Sequence, residues 1–350
     1  MSDDDLSALR LLRRDHDLPP EVVDASLERA RLRFDAAATA TEAPAAATRP
    51  RTPRALLRRP VLLAGAAVVV AGGLVASGVG LTHWSAPEPA AAATLHEAAR
   101  AAAADRTPTG AFTRVVEKEV AMAYTTSDGE HYDEGYLVPT TTTTWVPADV
   151  SGTWVRKTVT GEPTTFFGGE SAREAAEQER AADGGSSGPV WERGAGGDFT
   201  VGELGGEQPG WITPADIGDL PRDPGALVRR IEASTRPVDT TDAEHVFDTV
   251  RQLLRTGLVP ADLRATMFEA LATLPGIVVT EEQASLDGRT GTAIGLPSRN
   301  GAERDEIIVD RSSGAYLGER SLQTERLGSI PAGTVVASVA LRVTPVDDRP

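Results

Sequence analysis

The chain has 350 residues, no cysteine and a formal net charge of −16. Without cysteine it forms neither a disulfide, nor a thiolate nucleophile, nor a cysteine-ligated zinc site. The first 59 residues carry a net charge of +1, and the remainder carries −17. Because like charges repel, we expect the acidic remainder to bind neither nucleic acid nor anionic lipid headgroups.

Two short helices are predicted within residues 1–36, which would form a small helical module. The second helix, in the segment "LPPEVVDASLERARLRF", places apolar side chains at spacings of four, three and four residues, so that they share one face. These side chains are Val23, Leu27, Ala30 and Phe34. Because so short a module cannot bury a core of its own, this stripe is the candidate binding site for a partner protein. Residues 37–59 are rich in Ala, Thr, Pro and Arg, which is typical of a flexible basic linker.

Residues 60–82 form the predicted transmembrane helix. These 23 residues carry no charge. As a helix they would extend about 34 Å at ~1.5 Å per residue, enough to cross a hydrocarbon core of roughly 30 Å. A cleaved secretory signal begins within the first few residues, whereas about sixty residues precede this segment. A buried soluble helix would need protein around its whole circumference. An uncleaved membrane anchor is therefore the preferred interpretation.

The charges around this segment predict its orientation. Five arginines lie within residues 49–59, and the first basic residue after the segment is Arg100. Positive charge is retained on the cytoplasmic side of a membrane, so we expect a single-pass protein of the cell membrane with a cytoplasmic N-terminus. Within the segment, Gly73 and Ser77 form a pair of small residues at helical spacing, which would allow a weak homodimer.

After a Pro- and Ala-rich linker at 83–93, residues 94–350 are predicted to form an extracytoplasmic α+β domain of antiparallel sheet plus packed helices. Its first helix should begin near Thr94, with Glu97 in the capping-box position. Three runs rich in Thr, Val and aromatic residues then predict strands, the last two as antiparallel neighbours. These runs cover residues 111–124, 135–147 and 151–161.

Residues 168–213 are rich in Gly, Glu and Ser and predict a long excursion, with one charged helix near 171–182. Three amphipathic helices should follow, in "DPGALVRRIEA", "TDAEHVFDTVRQLLRTG" and "PADLRATMFEALATLPG". The middle one has a capping box of Thr241 and Glu244. The remaining sequence predicts a final meander of strands, with Gly314 supplying a positive φ at one of its turns.

Motifs of known chemistry are weak throughout the chain. The five histidines share no metal-ligand spacing, and no phosphate-binding loop precedes a predicted helix. We therefore nominate no catalytic, cofactor-binding or metal-binding residue and expect no cofactor. Trp145 and Trp154, with the threonines 140–144 between them, would either line a groove for an apolar or sugar ligand or simply pack in a sheet. Ordinary sheet packing is favoured.

Several segments resemble a known family. The arginine-flanked span followed by "LPRDPGALVRRI", "LVPADLRATMFEALATLPGI" and "EIIVDRSSGAYLGER" is similar to an uncharacterised actinobacterial family of single-span membrane proteins. Members are often encoded near extracytoplasmic-function sigma factors, which implies an anti-sigma-like role with a sigma factor as the cytoplasmic partner. The outer part also loosely resembles the half-barrel of periplasmic lipoprotein carriers, a likeness of fold alone.

Three function classes follow from these observations. The preferred one is a transmembrane signalling or anti-sigma-like regulator, because a tether joins a small striped module to a large outer domain. The second is an extracytoplasmic binding or carrier protein for an apolar ligand. An extracytoplasmic enzyme comes last, because no catalytic constellation was found.

Overall fold

The computed structural model describes residues 86–105, 110–126, 131–182, 188–199, 212, 214–237, 240–298 and 301–350. The predicted span over 60–82, the stripe of Val23, Leu27, Ala30 and Phe34, and the pair Gly73 and Ser77 lie outside these residues. In the described part of the chain, no helix is both long and apolar enough to cross a bilayer.

The described residues form an α+β fold with one large antiparallel sheet. Its strands are β1 (Phe112–Thr126), β2 (Tyr132–Pro147), β3 (Thr153–Thr160), β4 (Thr164–Phe167), β5 (Val190–Ala195), β6 (Val278–Leu286), β7 (Arg289–Pro297), β8 (Glu303–Asp310), β9 (Ala315–Gln323) and β10 (Val335–Val346). Their order is β5-β3-β2-β1-β10-β9-β8-β7-β6, and β4 pairs with β2 beside this row. Two meanders, β1 to β5 and β6 to β10, are thus joined where the last strand pairs with the first.

Five α-helices accompany the sheet in the described residues. They are α1 (Pro89–Ala104), α2 (Glu170–Ala182), α3 (Pro224–Glu232), α4 (Asp242–Arg255) and α5 (Ala261–Leu271). Helices α1, α3, α4 and α5 share one apolar core with residues of β1 and of β7 to β10. The predicted capping box at the start of α4 is present, because the Thr241 side chain accepts from Glu244 N and Glu244 Oε2 accepts from Thr241 N. Gly314 has φ 67, which confirms the predicted turn between β8 and β9.

Helix α1 begins earlier than the sequence predicts. It starts at Pro89 rather than near Thr94, so residues 89–93 belong to the helix and not to a linker. Two contacts fix the chain just before it: Glu88 N donates to Ile277 O at 3.0 Å, and Glu88 Oε2 accepts from Val279 N at 2.8 Å. Thr94 is buried inside the helix and caps nothing there.

The predicted excursion over 168–213 contains one more element than expected. Helix α2 matches the predicted charged helix. Strand β5, however, lies within this stretch and pairs with β3 from Thr153 opposite Ala195 to Thr158 opposite Val190. Trp191, which lies in this stretch, is therefore part of the sheet at its edge.

Candidate functional site

The two faces of the sheet differ in what covers them. Val115 of β1 and Leu341 of β10 belong to the core beneath the helices, and this side is called the covered face. Since successive side chains of a strand alternate, the neighbours of these residues point to the other side, called the opposite face. The pairing register extends this assignment from β1 to β2, β3 and β5.

A network of arginines and carboxylates lies on the covered face, between α4 and the sheet. Arg255 Nε donates to Glu117 Oε2 at 2.9 Å, and Arg255 Nη2 donates to Glu119 Oε2 at 3.1 Å. Arg251 Nη1 donates to Glu319 Oε1 at 3.3 Å. Glu319 is only 5% exposed. The network holds α4 on strands β1 and β9, which come from both meanders.

Two further groups of this network have strongly shifted pKa values. Tyr316 donates its hydroxyl to Glu319 Oε2 at 2.6 Å, and burial raises the pKa of Tyr316 well above its usual range. Burial also raises the pKa of Asp248 to about 6, although Arg251 acts in the opposite direction. Asp248 and Asp305 line a cavity of about 110 Å³ beside the N-terminal half of α4. Because Asp248 also lies 3.3 Å from Arg251, this carboxylate belongs to the network that holds α4 in place.

The described histidines on the helices do not converge. His96 of α1 lies 2.6 Å from Glu269 of α5. His245 of α4 is buried and lies 2.9 Å from Ile231 O, and burial lowers the pKa of its imidazole. Each histidine thus has its own partner within the helical layer.

The opposite face carries a pair of stacked tryptophans. The rings of Trp145 on β2 and Trp191 on β5 lie 6.0 Å apart at an interplanar angle of 16°. Lys157 of β3 places its ammonium 5.4 Å from the centre of the Trp191 ring. Val155, between the two tryptophan strands, is 1% exposed. Trp191 itself remains 45% exposed, so the pair leaves an accessible aromatic surface at Trp191.

Apart from Arg156 on the covered face, charge is sorted between the two faces along β1, β3, β5 and β10. The acidic residues of the covered face include Glu117, Glu119 and Glu192, which bind Arg255 or Arg156. The opposite face of the same strands carries five basic residues. These residues, here called the basic strip, are Arg114, Lys118, Lys157, Arg193 and Arg342.

Among the described residues, carboxylates pair with the basic strip at only one of its ends. Asp287, at the turn between β6 and β7, accepts from Lys118 Nζ at 2.8 Å and from Arg342 Nε at 3.0 Å. At the other end, no acceptor among the described residues lies within hydrogen-bonding distance of the buried Arg114 Nε. The strip therefore carries a local excess of positive charge beside the two tryptophans.

The hypothesis of a groove lined by Trp145 and Trp154 requires both side chains to lie on one face of the sheet, and they do not. Trp145 lies on the opposite face, whereas Trp154 packs edge-on against Phe199, whose ring also contacts Arg156 of the covered face. The two residues therefore do not line one groove. The threonines 140–144 alternate between the faces in the same way.

Sequence reasoning missed the basic strip, although part of the signal is present. In "TRVVEKE" of β1, basic and acidic residues alternate, with Arg114 and Lys118 at even positions and Glu117 and Glu119 at odd ones. A two-residue period of this kind sorts charge between the faces of a strand. Trp191 and Arg193 had no such signal, because their strand lies in a Gly-rich stretch.

No protein family, curated protein or solved structure that was compared with the chain matches it.

Proposed function

We propose that the chain is a membrane-anchored regulator whose outer domain binds an envelope ligand and whose cytoplasmic helices bind a protein such as a sigma factor. The observation that carries the outer half of this proposal is the sorting of charge on the sheet. In a chain of net charge −16, five basic residues and two stacked tryptophans share one face. Aromatic side chains and arginines are enriched at binding surfaces.

The inner half of the proposal rests on the sequence. The stripe of Val23, Leu27, Ala30 and Phe34 is one apolar helix face on a module too small to bury it. An amphipathic helix of this kind docks its apolar face into a groove of a partner. The uncharged run over 60–82 would connect this module to the outer domain.

Co-purification of the full-length chain from its native membrane tests the proposal. A cytoplasmic protein should co-purify with the unmodified chain and be lost from a variant carrying Leu27→Asp and Phe34→Asp, because unpaired charge would enter the apolar contact. A control carrying Ala25→Asp and Arg29→Asp changes the other side of the same predicted helix and should retain the partner. Recovery of identical partners by all three chains, or of none by any, would contradict the proposal.

A further inference from the structure

The basic strip and the tryptophans form two adjacent rows across the strands. In one row, Trp145 of β2 pairs with Arg114 of β1 and with Val155 of β3, which pairs with Arg193 of β5. Neighbouring strands lie about 4.8 Å apart, so the backbones of Arg114 and Arg193 are separated by roughly 14 Å.

The second row lies two residues along the strands, about 7 Å away. In it, Lys157 of β3 pairs with Trp191 of β5 on one side and with Thr143 of β2 on the other. Val116 of β1 continues the row to Arg342 of β10. Cationic groups therefore surround the aromatic surface on more than one side.

We infer that this surface is a binding site for an anionic polysaccharide. A sugar ring would pack its C–H groups on the exposed part of Trp191, and the anionic groups of the polymer would bind Arg114, Lys157 and Arg193. The guanidinium fork suits carboxylate and phosphate oxygens, which favours Arg114 and Arg193 as the groups that bind the anions. The inference rests on the proposed function, because it names the ligand class of the outer domain.

The geometry favours a polymer over a bilayer surface. Side chains that dock on membranes insert apolar groups roughly 5–10 Å into the headgroup region. Here the two indole rings are nearly parallel and Val155 between their strands is buried. The large exposed apolar residues of the described chain are also dispersed, with Val150 in a turn and Val343 on the covered side of β10. A flat ring surface beside cations fits a sugar with an anionic group.

The net acidity of the domain does not prevent such binding at physiological ionic strength. The Debye length is then about 8 Å, so a bound anion responds mainly to charges within that distance. The acidic side chains of β1 and β5 lie on the far side of the sheet. The expectation that the outer part binds no polyanion follows from the net charge alone, whereas this inference depends on where the charges lie.

A binding titration on the full-length chain in neutral phosphatidylcholine nanodiscs tests the inference. The probes are dextran phosphate, unmodified dextran of the same length, and vesicles containing phosphatidylglycerol. We expect dextran phosphate to bind at least about tenfold more tightly than dextran. Trp191→Ala should weaken its binding about tenfold, because the variant lacks the ring on which the sugar packs. Lys157→Gln and Arg193→Gln should each weaken it severalfold.

Two control variants match these changes at other positions. Val190→Ala alters an exposed residue next to Trp191 but on the covered side of β5, and Arg230→Gln removes an exposed arginine from α3. Both should bind dextran phosphate like the unmodified chain.

Each of four results would overturn the inference. The first two are equal binding of dextran and dextran phosphate, and binding of the vesicles but not of dextran phosphate. The others are full affinity in the Trp191 and Lys157 variants, and absence of binding to every probe. The chain with Leu27→Asp and Phe34→Asp should bind dextran phosphate normally. Loss of the cytoplasmic partner and loss of the polysaccharide are therefore separate results.

Discussion

Arg255 of α4 and Glu117 of β1 are 138 residues apart in sequence, and Arg255 Nε donates a 2.9 Å hydrogen bond to Glu117 Oε2. The same guanidinium also contacts Glu119 of β1 and Glu319 of β9. One side chain thus connects the helical layer to strands of both meanders. Its carboxylate partners would repel one another if it were removed.

Arg255→Met should lower the free energy of unfolding by about 2 kcal/mol. Breaking a buried ion pair costs about 3–5 kcal/mol, and the smaller value applies here because the Arg255 side chain is 35% exposed. Urea unfolding followed by circular dichroism measures the change. Arg230→Met, at an exposed position of α3, should leave stability nearly unchanged. An equal loss in both variants would show that the network does not hold α4.

Asp248→Asn should alter how stability depends on pH. Burial raises the pKa of Asp248 in the folded state to about 6, above its ordinary value of 3.8. Between these values the folded state binds more protons than the unfolded state, so this group lowers stability as pH rises from about 4 to 6. The variant should lack this decline. Over this range, the difference in the free energy of unfolding between the unmodified chain and the variant should change by about 1 kcal/mol. The change is smaller than the full pKa shift would give, because solvent screens the partly exposed carboxyl.

Urea unfolding at a series of pH values from 4 to 7 would measure this difference. Asp219→Asn, at an exposed position, is the matched control. Parallel curves for the unmodified chain and Asp248→Asn would show that Asp248 does not titrate in this window.

Phe247→Ala should lower the free energy of unfolding by about 3–5 kcal/mol, because a buried aromatic ring is replaced by a cavity. Phe247 is 1% exposed, and Val250 and Leu254 of the same helix are also buried. Val190→Ala, at a residue that is 51% exposed, should cost about 0.5 kcal/mol or less. Chemical unfolding of both variants distinguishes the two positions, and similar losses would contradict the assigned core.

A pair of single cysteines tests the proposed topology. The chain has no native cysteine, so Ser85→Cys and Ser7→Cys each introduce one reactive thiol. If residues 60–82 span the membrane with the N-terminus inside, an impermeant thiol reagent should label only the first variant in intact cells. Permeabilised cells should show labelling of both. The reverse pattern in intact cells would overturn the orientation.

Most elements of the described fold could be predicted because their signals are local. The Thr- and Val-rich runs predicted β1, β2 and β3, and the capping box at Thr241 and Glu244 predicted the start of α4. The start of α1 was missed because its signal is partly remote. Pro89 suits a first helical turn, but Glu88 is fixed by the backbone of Ile277 and Val279, far away in sequence.

The candidate site could not be predicted for a related reason. Its residues come from several strands, and a shift of register by one residue would send each side chain to the other face. The sequence predicts that Trp145 and Trp154 are in neighbouring strands, but only the three-dimensional arrangement of the strands shows that Trp191 is stacked on Trp145. The edge strand β5 itself lies in a Gly-rich stretch that predicts a loop.

The pairing of β10 with β1 makes the order of synthesis important for folding. Phe112 pairs with Val346, so β1 lacks one of its two neighbours until almost the whole chain has been made. Contacts between such distant segments close a large loop and form slowly. Until β10 has been made, β1 should therefore remain an unpaired edge strand, and such strands promote aggregation. A chain that ends before Val335 would leave both meanders with unpaired strands, even though every residue of the aromatic surface would be present.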